Sequence, residues 1–160
     1  MIRMKNTEEY PIVLKKAGVF AATTGQDFYT VPAAGYIKAV VASFGLMGTD
    51  GTGSPTQDVQ VDIKVNGTSI FASAATSILF AHAGMAGTAN TPINATSVGV
   101  PSTNPTPVAK GDKIRLDGLQ ILNGTSPTQP SDLCVTLVLT RGNGSAPEGM
   151  LQNQLSSLDA

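Results

Sequence analysis

The residue types that carry most enzyme chemistry are scarce in this 160-residue chain and are not grouped. His82 is the single histidine and Cys134 is the single cysteine. A zinc site needs several His or Cys ligands, and a catalytic nucleophile needs a base beside it. We therefore interpret His82 as a structural or surface residue, and Cys134, which lies in an apolar run, as a buried thiol without a disulfide partner.

The acidic residues form no recognisable site either. Asp50 lies in a glycine-rich loop, but calcium requires six or more oxygen ligands, several of them carboxylates. The glutamates are Glu8, Glu9 and Glu148, all near a terminus, although two carboxylates of a glycosidase can meet from distant positions. No phosphate-binding glycine motif opens a helix. The sequence predicts no catalytic residues, no metal and no cofactor, and we expect the protein not to be an enzyme.

Composition argues against nucleic acid and membrane as partners. Charged residues make up 13% of the chain and the net charge is −1, whereas phosphate binding needs clustered Lys and Arg. The only basic cluster is near the start and is interrupted by glutamates. No apolar run is long enough to span a bilayer, and the first ten residues lack the apolar core of a signal peptide. We expect the chain to be made in, and first to fold in, a reducing cytoplasm.

The elements that would position any site are β-strands. Apolar and polar residues alternate from Val59 to Val65, which predicts a strand with Val59, Val61, Ile63 and Val65 on its buried face. Asn-Gly follows directly at residues 66–67, and this pair favours the type I′ turn of a β-hairpin. Residues 68–71 are expected to form the second strand of that hairpin.

Other segments repeat this pattern. Residues 36–47 predict a strand with Ile37, Ala39 and Val41 on one face, and residues 132–140 predict a central strand. In residues 113–122 the alternation changes phase after Gly118, which predicts a β-bulge. About eight strands separated by Gly/Pro turns predict an all-β antiparallel sandwich or barrel, and eight strands in two sheets would form a jelly roll.

The two ends differ from this domain, which we place at residues 17–141. Residues 1–16 are predicted to form an N-terminal arm, within which Ile12, Val13 and Leu14 either make a short edge strand or dock on a neighbour. Residues 142–160 are predicted to form a C-terminal tail in which the leucines follow helical spacing. A helix this short needs a partner for stability, so the tail either docks as a helix or is disordered. The candidate partner contacts are Ile12, Val13, Leu14, Leu151, Leu155 and Leu158.

Four stretches carry a resemblance to a known family. They are VPAAGYIKAVVASF (residues 31–44), DVQVDIKVNGTSIF (58–71), VPSTNPTPVAKGDKIRLDGLQI (100–121) and DLCVTLVLTR (132–141). This series resembles the jelly-roll virion proteins of tailed bacteriophages, and in particular their small capsid cement, or decoration, proteins. The resemblance covers residues 18–141 and brings no catalytic motif with it.

The resemblance implies a structural function on a virion. It implies a homotrimer that binds the outer surface of a phage head and stabilises contacts between subunits of the major capsid protein. Similar modules occur in phage tails and fibres, so the alternative is a module that binds a host-surface glycan. That alternative expects aromatic or acidic groups in loops at one end, for which Phe71, Phe80, His82 and Asp50 are the candidates.

Overall fold

The computed structural model describes residues 8–49, 51–53, 56–73, 76–85, 91–99, 101–103 and 105–141. These residues form eleven β-strands and a 3₁₀ helix at His82–Met85. The strands are β1 (Glu9–Val19), β2 (Asp27–Thr30), β3 (Gly35–Leu46), β4 (Val59–Val65), β5 (Thr68–Ser69), β6 (Ile78–Phe80), β7 (Ile93–Asn94), β8 (Ser97–Val98), β9 (Thr106–Val108), β10 (Lys113–Gln120) and β11 (Ser131–Arg141).

The strands form two antiparallel sheets that pack as a sandwich, which confirms the predicted fold class. Sheet A has the order β1-β11-β3-β7, and β9 also pairs with β3. Sheet B has the order β2-β10-β4-β6-β8, and β5 also pairs with β4. The chain alternates between the sheets through β1, β2, β3 and β4, and again through β9, β10 and β11. This order is compatible with a jelly roll.

The core lies between the sheets and is apolar throughout. Phe44 of sheet A contacts Phe80 of sheet B with ring centroids 4.5 Å apart, and contacts Phe20 at 5.3 Å. All three rings are at most 1% exposed. Alternate residues of the central strand β11 lie on sheet A's inner face and are buried, as predicted. They are Leu133, Val135, Leu137 and Leu139.

The predicted hairpin is present, with a shorter second strand. Asn66 and Gly67 have φ values of 50° and 89°, as a type I′ turn requires, and the apolar face of β4 is buried. Only Thr68–Ser69 pairs with β4, instead of residues 68–71. The hydroxyl of Ser69 accepts a hydrogen bond from the N–H of Phe71 at 3.1 Å. This bond forms a local turn, which ends the pairing of the second strand with β4.

Two bulges set which side chains face the core. The predicted bulge after Gly118 is confirmed, because Gly118 and Gln120 pair with the adjacent residues Val61 and Gln60. A second bulge, in β3, was not predicted. Leu139 pairs with Ile37 whereas Val138 pairs with Ala39, so Lys38 is the extra residue.

The bulge at Lys38 corrects the predicted faces of β3. Ile37 is buried, but Ala39 and Val41 lie on the outer face of sheet A, where Val41 is 60% exposed. The prediction that these three side chains share one face is therefore wrong. Cys134 also faces outward, and it is half-buried instead of buried in the core.

The N-terminal part of the sandwich also differs from the prediction. Residues 9–16, assigned above to an arm, form most of β1 and pair with β11 in unbroken register. They are therefore part of the domain, and the edge-strand alternative for residues 12–14 is correct. Residues 142–160, assigned to a C-terminal tail, lie outside the described residues.

Candidate functional site

The predicted partner contacts of β1 point to opposite sides of sheet A. Ile12 and Leu14 are 6% and 2% exposed and belong to the chain's own core. They cannot offer their side chains to a partner while β1 is paired, so their assignment as contacts is wrong. Val13, which lies between them, points outward and is 46% exposed. The other three predicted contacts, Leu151, Leu155 and Leu158, lie outside the described residues.

Val13 belongs to a surface without charges on the outer face of sheet A. Two neighbouring rows of cross-strand partners run over β1, β11 and β3. An ion pair between Lys38 and Glu9 lies at one end of this surface, and Lys15 lies at the other. We call this surface the neutral strip, and it consists of Pro11, Val138, Ala39, Val13, Thr136 and Val41.

The free edge of β1 beside the neutral strip is protected against strand pairing. The backbone N–H of Lys15 points away from β11 and donates to the carboxylate of Asp27 at 2.8 Å. Alternate residues of a strand direct their N–H groups to the same side, so the Pro11 nitrogen, which has no hydrogen, also lies on this edge. Proline and a capped donor are devices that stop one sheet from adding to another. The β1 edge of sheet A is therefore a poor template for strand addition.

The outer face of sheet B differs because it carries a compact group of four charges. Lys64 of β4 lies directly opposite Arg115 of β10, and Asp62 lies directly opposite Asp117. Like charges thus face each other across the strands, an arrangement that is unfavourable in isolation. Opposite charges meet in two other directions. Arg115 contacts Asp117 along β10, and Lys64 contacts Asp117 diagonally from β4.

Asp117 is the centre of this charged group and is completely buried. The Arg115 guanidinium binds it in bidentate geometry, with Nε and Nη2 each 2.8 Å from a carboxylate oxygen. The Gly25 backbone N–H donates to it at 2.7 Å, and Lys64 Nζ lies 3.0 Å away. Burial alone would raise the pKa of Asp117, but these donors outweigh it and hold that pKa below its usual value.

Asp62 has the opposite electrostatic character although it lies beside Asp117. Burial raises the pKa of Asp62. Two contacts lower that pKa by less, namely the hydrogen bond that the Ser69 hydroxyl donates at 2.7 Å and the charge of Lys64, whose Nζ is 4.0 Å away. Asp117 is therefore expected to ionise at a lower pH than Asp62. A carboxyl with a raised pKa next to one with a lowered pKa is a common arrangement in acid–base sites, but Asp62 is 3% exposed and substrate cannot reach it.

Replacing Asp62 by asparagine is expected to raise the free energy of unfolding at pH 7 by about 0.5–1 kcal/mol, since asparagine avoids burying a charge. Because folding raises the pKa of Asp62, its contribution to stability is present below the unfolded-state value near pH 4 and is lost as the pH rises through the folded-state value. The difference in the free energy of unfolding between the variant and the parent protein should therefore be small at pH 3.5 and should grow toward pH 7, as measured by urea unfolding.

Ser69→Ala is the control for the Asp62 prediction. It removes the hydroxyl that donates to the carboxylate and accepts the Phe71 N–H, so it should lower stability at both pH values, and more at pH 7 than at pH 3.5. If Asp62→Asn has the same effect on stability at pH 3.5 and pH 7, Asp62 does not titrate as proposed.

A groove lies next to the charged group on the same face of sheet B. Its volume is about 440 Å³ and its lining includes Phe28, the turn of Asn66 and Gly67, and the side chains of Lys113 and Arg115. Phe28 is 66% exposed and lies opposite Arg115 in the β2–β10 ladder. Its ring therefore forms an apolar wall beside two cations of β10, Lys113 and Arg115.

The sequence-based candidates for a glycan site do not line this groove. Phe71 and Phe80 are 3% and 0% exposed and belong to the core. His82 lies in the 3₁₀ helix, where its backbone N–H donates to Asp58 at 2.8 Å, and Asp50 lies outside the described residues. Phe28 was missed because an aromatic residue at alternate spacing in a strand is ordinarily core.

The described residues contain no group of three or more His, Cys, Asp or Glu side chains placed to hold a metal ion. Among the same residues, no helix has the length and apolar character to cross a membrane. What they offer is two surfaces, an uncharged face on sheet A and, on sheet B, a groove lined by an aromatic ring and two basic side chains. Comparisons with protein-family models, with curated proteins and with solved structures return no match to this chain.

Proposed function

We propose that this chain is a structural virion protein, a cement or decoration protein that binds the outer surface of a phage head and stabilises contacts between major capsid subunits. The observation that carries the proposal is the neutral strip of sheet A. The resemblance of four sequence stretches to phage jelly-roll virion proteins supports it, and so does a sandwich whose strand order is compatible with a jelly roll.

The neutral strip has the physical properties of a docking surface. Val13 and Val41 expose 46% and 60% of their surface, and Thr136 lies between them in the same row. Burying apolar area of this kind stabilises a complex by about 25 cal/mol per Å², and no charge on the strip has to be desolvated. Charged residues are depleted in the centres of protein interfaces in the same way. We assign the strip to the contact with the major capsid protein.

The other parts of the proposal rest on the resemblance. They are assembly as a homotrimer and location on the outside of the virion. The tail leucines at residues 151, 155 and 158 keep their proposed role as additional contacts with a neighbouring subunit. A segment that folds on binding loses conformational entropy but can cover a large surface.

The double substitution Val13→Lys and Val41→Lys is expected to reduce the affinity for purified phage heads by about tenfold or more. Two ammonium groups would have to lose water on docking. Both positions are exposed, so the variant should keep the thermal stability of the parent protein. Binding is measured by co-sedimentation with heads that lack the protein, over a range of protein concentrations.

Thr68→Lys is the control for added positive charge, because it places one such ammonium group at an exposed position of sheet B. It should bind heads like the parent protein. Light scattering on each variant separates the two possible uses of the strip. Wild-type head binding by the double variant, or conversion of a trimer to a monomer by it, would show that the strip is not the capsid contact.

A second candidate function is supported by the groove on sheet B. A module of a phage tail or fibre that binds a host-surface glycan needs an exposed aromatic face with polar groups around it. Phe28 provides that face, and Lys113 and Arg115 lie beside it. The groove and the neutral strip are on opposite sheets, so the protein can use both surfaces at once.

A further inference from the structure

We propose that the groove on sheet B binds an acidic saccharide, with the sugar ring packed on Phe28 and its carboxylate or sulfate held by Lys113 and Arg115. This inference does not depend on the capsid role. It rests on the second candidate function and deepens it by naming the class of ligand.

The first support is the placement of Phe28. One residue row crosses the outer face of sheet B from Phe28 through Arg115 and Lys64 to Ser69. Neighbouring strands fix this row, so the ring is held on a rigid surface and not on a loop. An exposed aromatic face offers dispersion contact and a negative quadrupole to the C–H groups of a ring that lies on it.

The second support is that Arg115 is oriented before any ligand arrives. Its Nε and Nη2 are fixed on the buried carboxylate of Asp117. Among the contacts within the described part of the chain, none involves Nη1, which keeps two N–H donors for an anion. A guanidinium held in this way loses little side-chain entropy on binding.

The third support is the position of Lys113. Its Nζ lies 5.8 Å from the centroid of the Phe28 ring and 3.4 Å from the Thr30 hydroxyl. The ammonium thus lies over the Phe28 ring, so a sugar that packs on this face would displace the ammonium and meet it through its acidic group. Both contacts are weak and exposed, so Lys113 can turn toward a ligand at little cost.

The turn at the end of the groove is also rigid. Asn66 donates to Asp112 at 2.8 Å, and its side-chain oxygen accepts the N–H of Lys113 at 3.0 Å. These bonds join the β4–β5 hairpin to the turn before β10. The pKa of Asp112 is lowered by the N–H of Ala109 and by Asn66, so Asp112 is ionised and adds a negative charge beyond the groove.

The charges around the groove favour one acidic group and not a polyanion. The cations are Lys64, Lys113 and Arg115, and the carboxylates are Asp112 and the buried Asp117 with its neighbour Asp62. This balance does not provide the extended positive surface on which nucleic acid binding depends. It fits a small ligand that has one charge and one apolar ring face, and the groove volume of about 440 Å³ is typical of small-ligand sites.

The test follows backbone amide shifts of the full chain by nuclear magnetic resonance. The acidic probes, each with one charge, are the methyl glycoside of galacturonate, 3′-sialyllactose and lactose 3′-sulfate. The neutral probes are the methyl ester of that galacturonate glycoside and lactose. We expect at least one acidic probe to shift the amides of Gly25, Phe28, Gly67 and Arg115, and its neutral counterpart to bind about tenfold more weakly or not at all. Raising the salt concentration should weaken the binding of the acidic probe.

Two variants locate the site. Phe28→Ala removes an exposed ring and should weaken binding about tenfold, and Lys113→Met, which keeps the length of the side chain, should weaken it about fivefold. Val41→Ala, on the opposite sheet, is the control and should bind like the parent protein.

Each contrary result has a distinct meaning. Equal binding of acidic and neutral probes in the groove would overturn the acidic class but leave the glycan function standing. No shift with any probe would overturn both. Binding that persists unchanged in Phe28→Ala would place the saccharide elsewhere and overturn the assignment of the groove.

Discussion

Replacing Phe44 by alanine is expected to lower the free energy of unfolding by about 3–5 kcal/mol. The side chain is fully buried, and its ring joins Phe20 to Phe80 across the space between the two sheets. Alanine would leave a cavity, and the rigid strands on both sides cannot move together to fill it. It would also remove two aromatic contacts, each contributing about 0.5–1.5 kcal/mol beyond area burial.

A loss of this size is a large fraction of the roughly 5–15 kcal/mol that stabilises an ordinary domain. In a chain of this length it should lower the melting temperature by about 10 °C. The matched control is Phe28→Ala, the same substitution at a ring that is 66% exposed, which should change stability by less than about 0.5 kcal/mol. Chemical unfolding of both variants gives the comparison. Equal losses would contradict the assignment of Phe44 to the core that joins the sheets.

Local pattern was enough to predict the parts of the fold that depend on neighbouring residues. The alternation in β4, the Asn-Gly turn and the change of phase at Gly118 each act within a few residues of chain. At Gly118 the structure adds the reason for glycine, since a Cβ there would collide with the backbone oxygen of Ala21 in the loop that covers β10. The sandwich follows from these local patterns because their apolar faces must be buried together.

Features that depend on distant partners could not be predicted in this way. Residues 9–16 are mixed and charged, as in an arm, and they become a strand only because β11, more than 100 residues away, pairs with them. The bulge at Lys38 has no glycine to mark it, and it is visible only in the register between β3 and β11. One extra residue there is enough to turn Val41 from the core to the neutral strip.

The charged group on sheet B was hidden for the same reason. Asp62 and Lys64 occupy ordinary polar positions of an alternating strand, and so do Arg115 and Asp117. Their meeting depends on the register of β4 against β10. The signal in the sequence was that each strand carries a cation and a carboxylate two residues apart, which indicates charge pairing on one face. It does not indicate which carboxylate becomes buried.

Replacing Asp117 by asparagine is expected to lower the free energy of unfolding at pH 7 by about 2–4 kcal/mol, less than for a deeply buried pair because Lys64 and Arg115 keep some access to water. Asparagine has the same shape and its oxygen can still accept the Gly25 N–H. It cannot accept both arms of the Arg115 fork, since its NH₂ group would face a guanidinium nitrogen. The loss of stability therefore measures the effect of the charge of Asp117 and not of its volume.

The pH dependence separates this effect from a loss of packing. Folding lowers the pKa of Asp117, so its contribution to stability is present above the unfolded-state value near pH 4 and is lost as the pH falls through the folded-state value. The parent protein should lose stability below about pH 4 more steeply than the Asp117→Asn variant, and the two curves should approach each other in acid. Combining Asp117→Asn with Arg115→Met in a double-mutant cycle should show strong coupling. Parallel stability curves for parent and variant from pH 7 to pH 2.5, or additive effects in the cycle, would contradict a buried ionised Asp117 as the centre of the charged group.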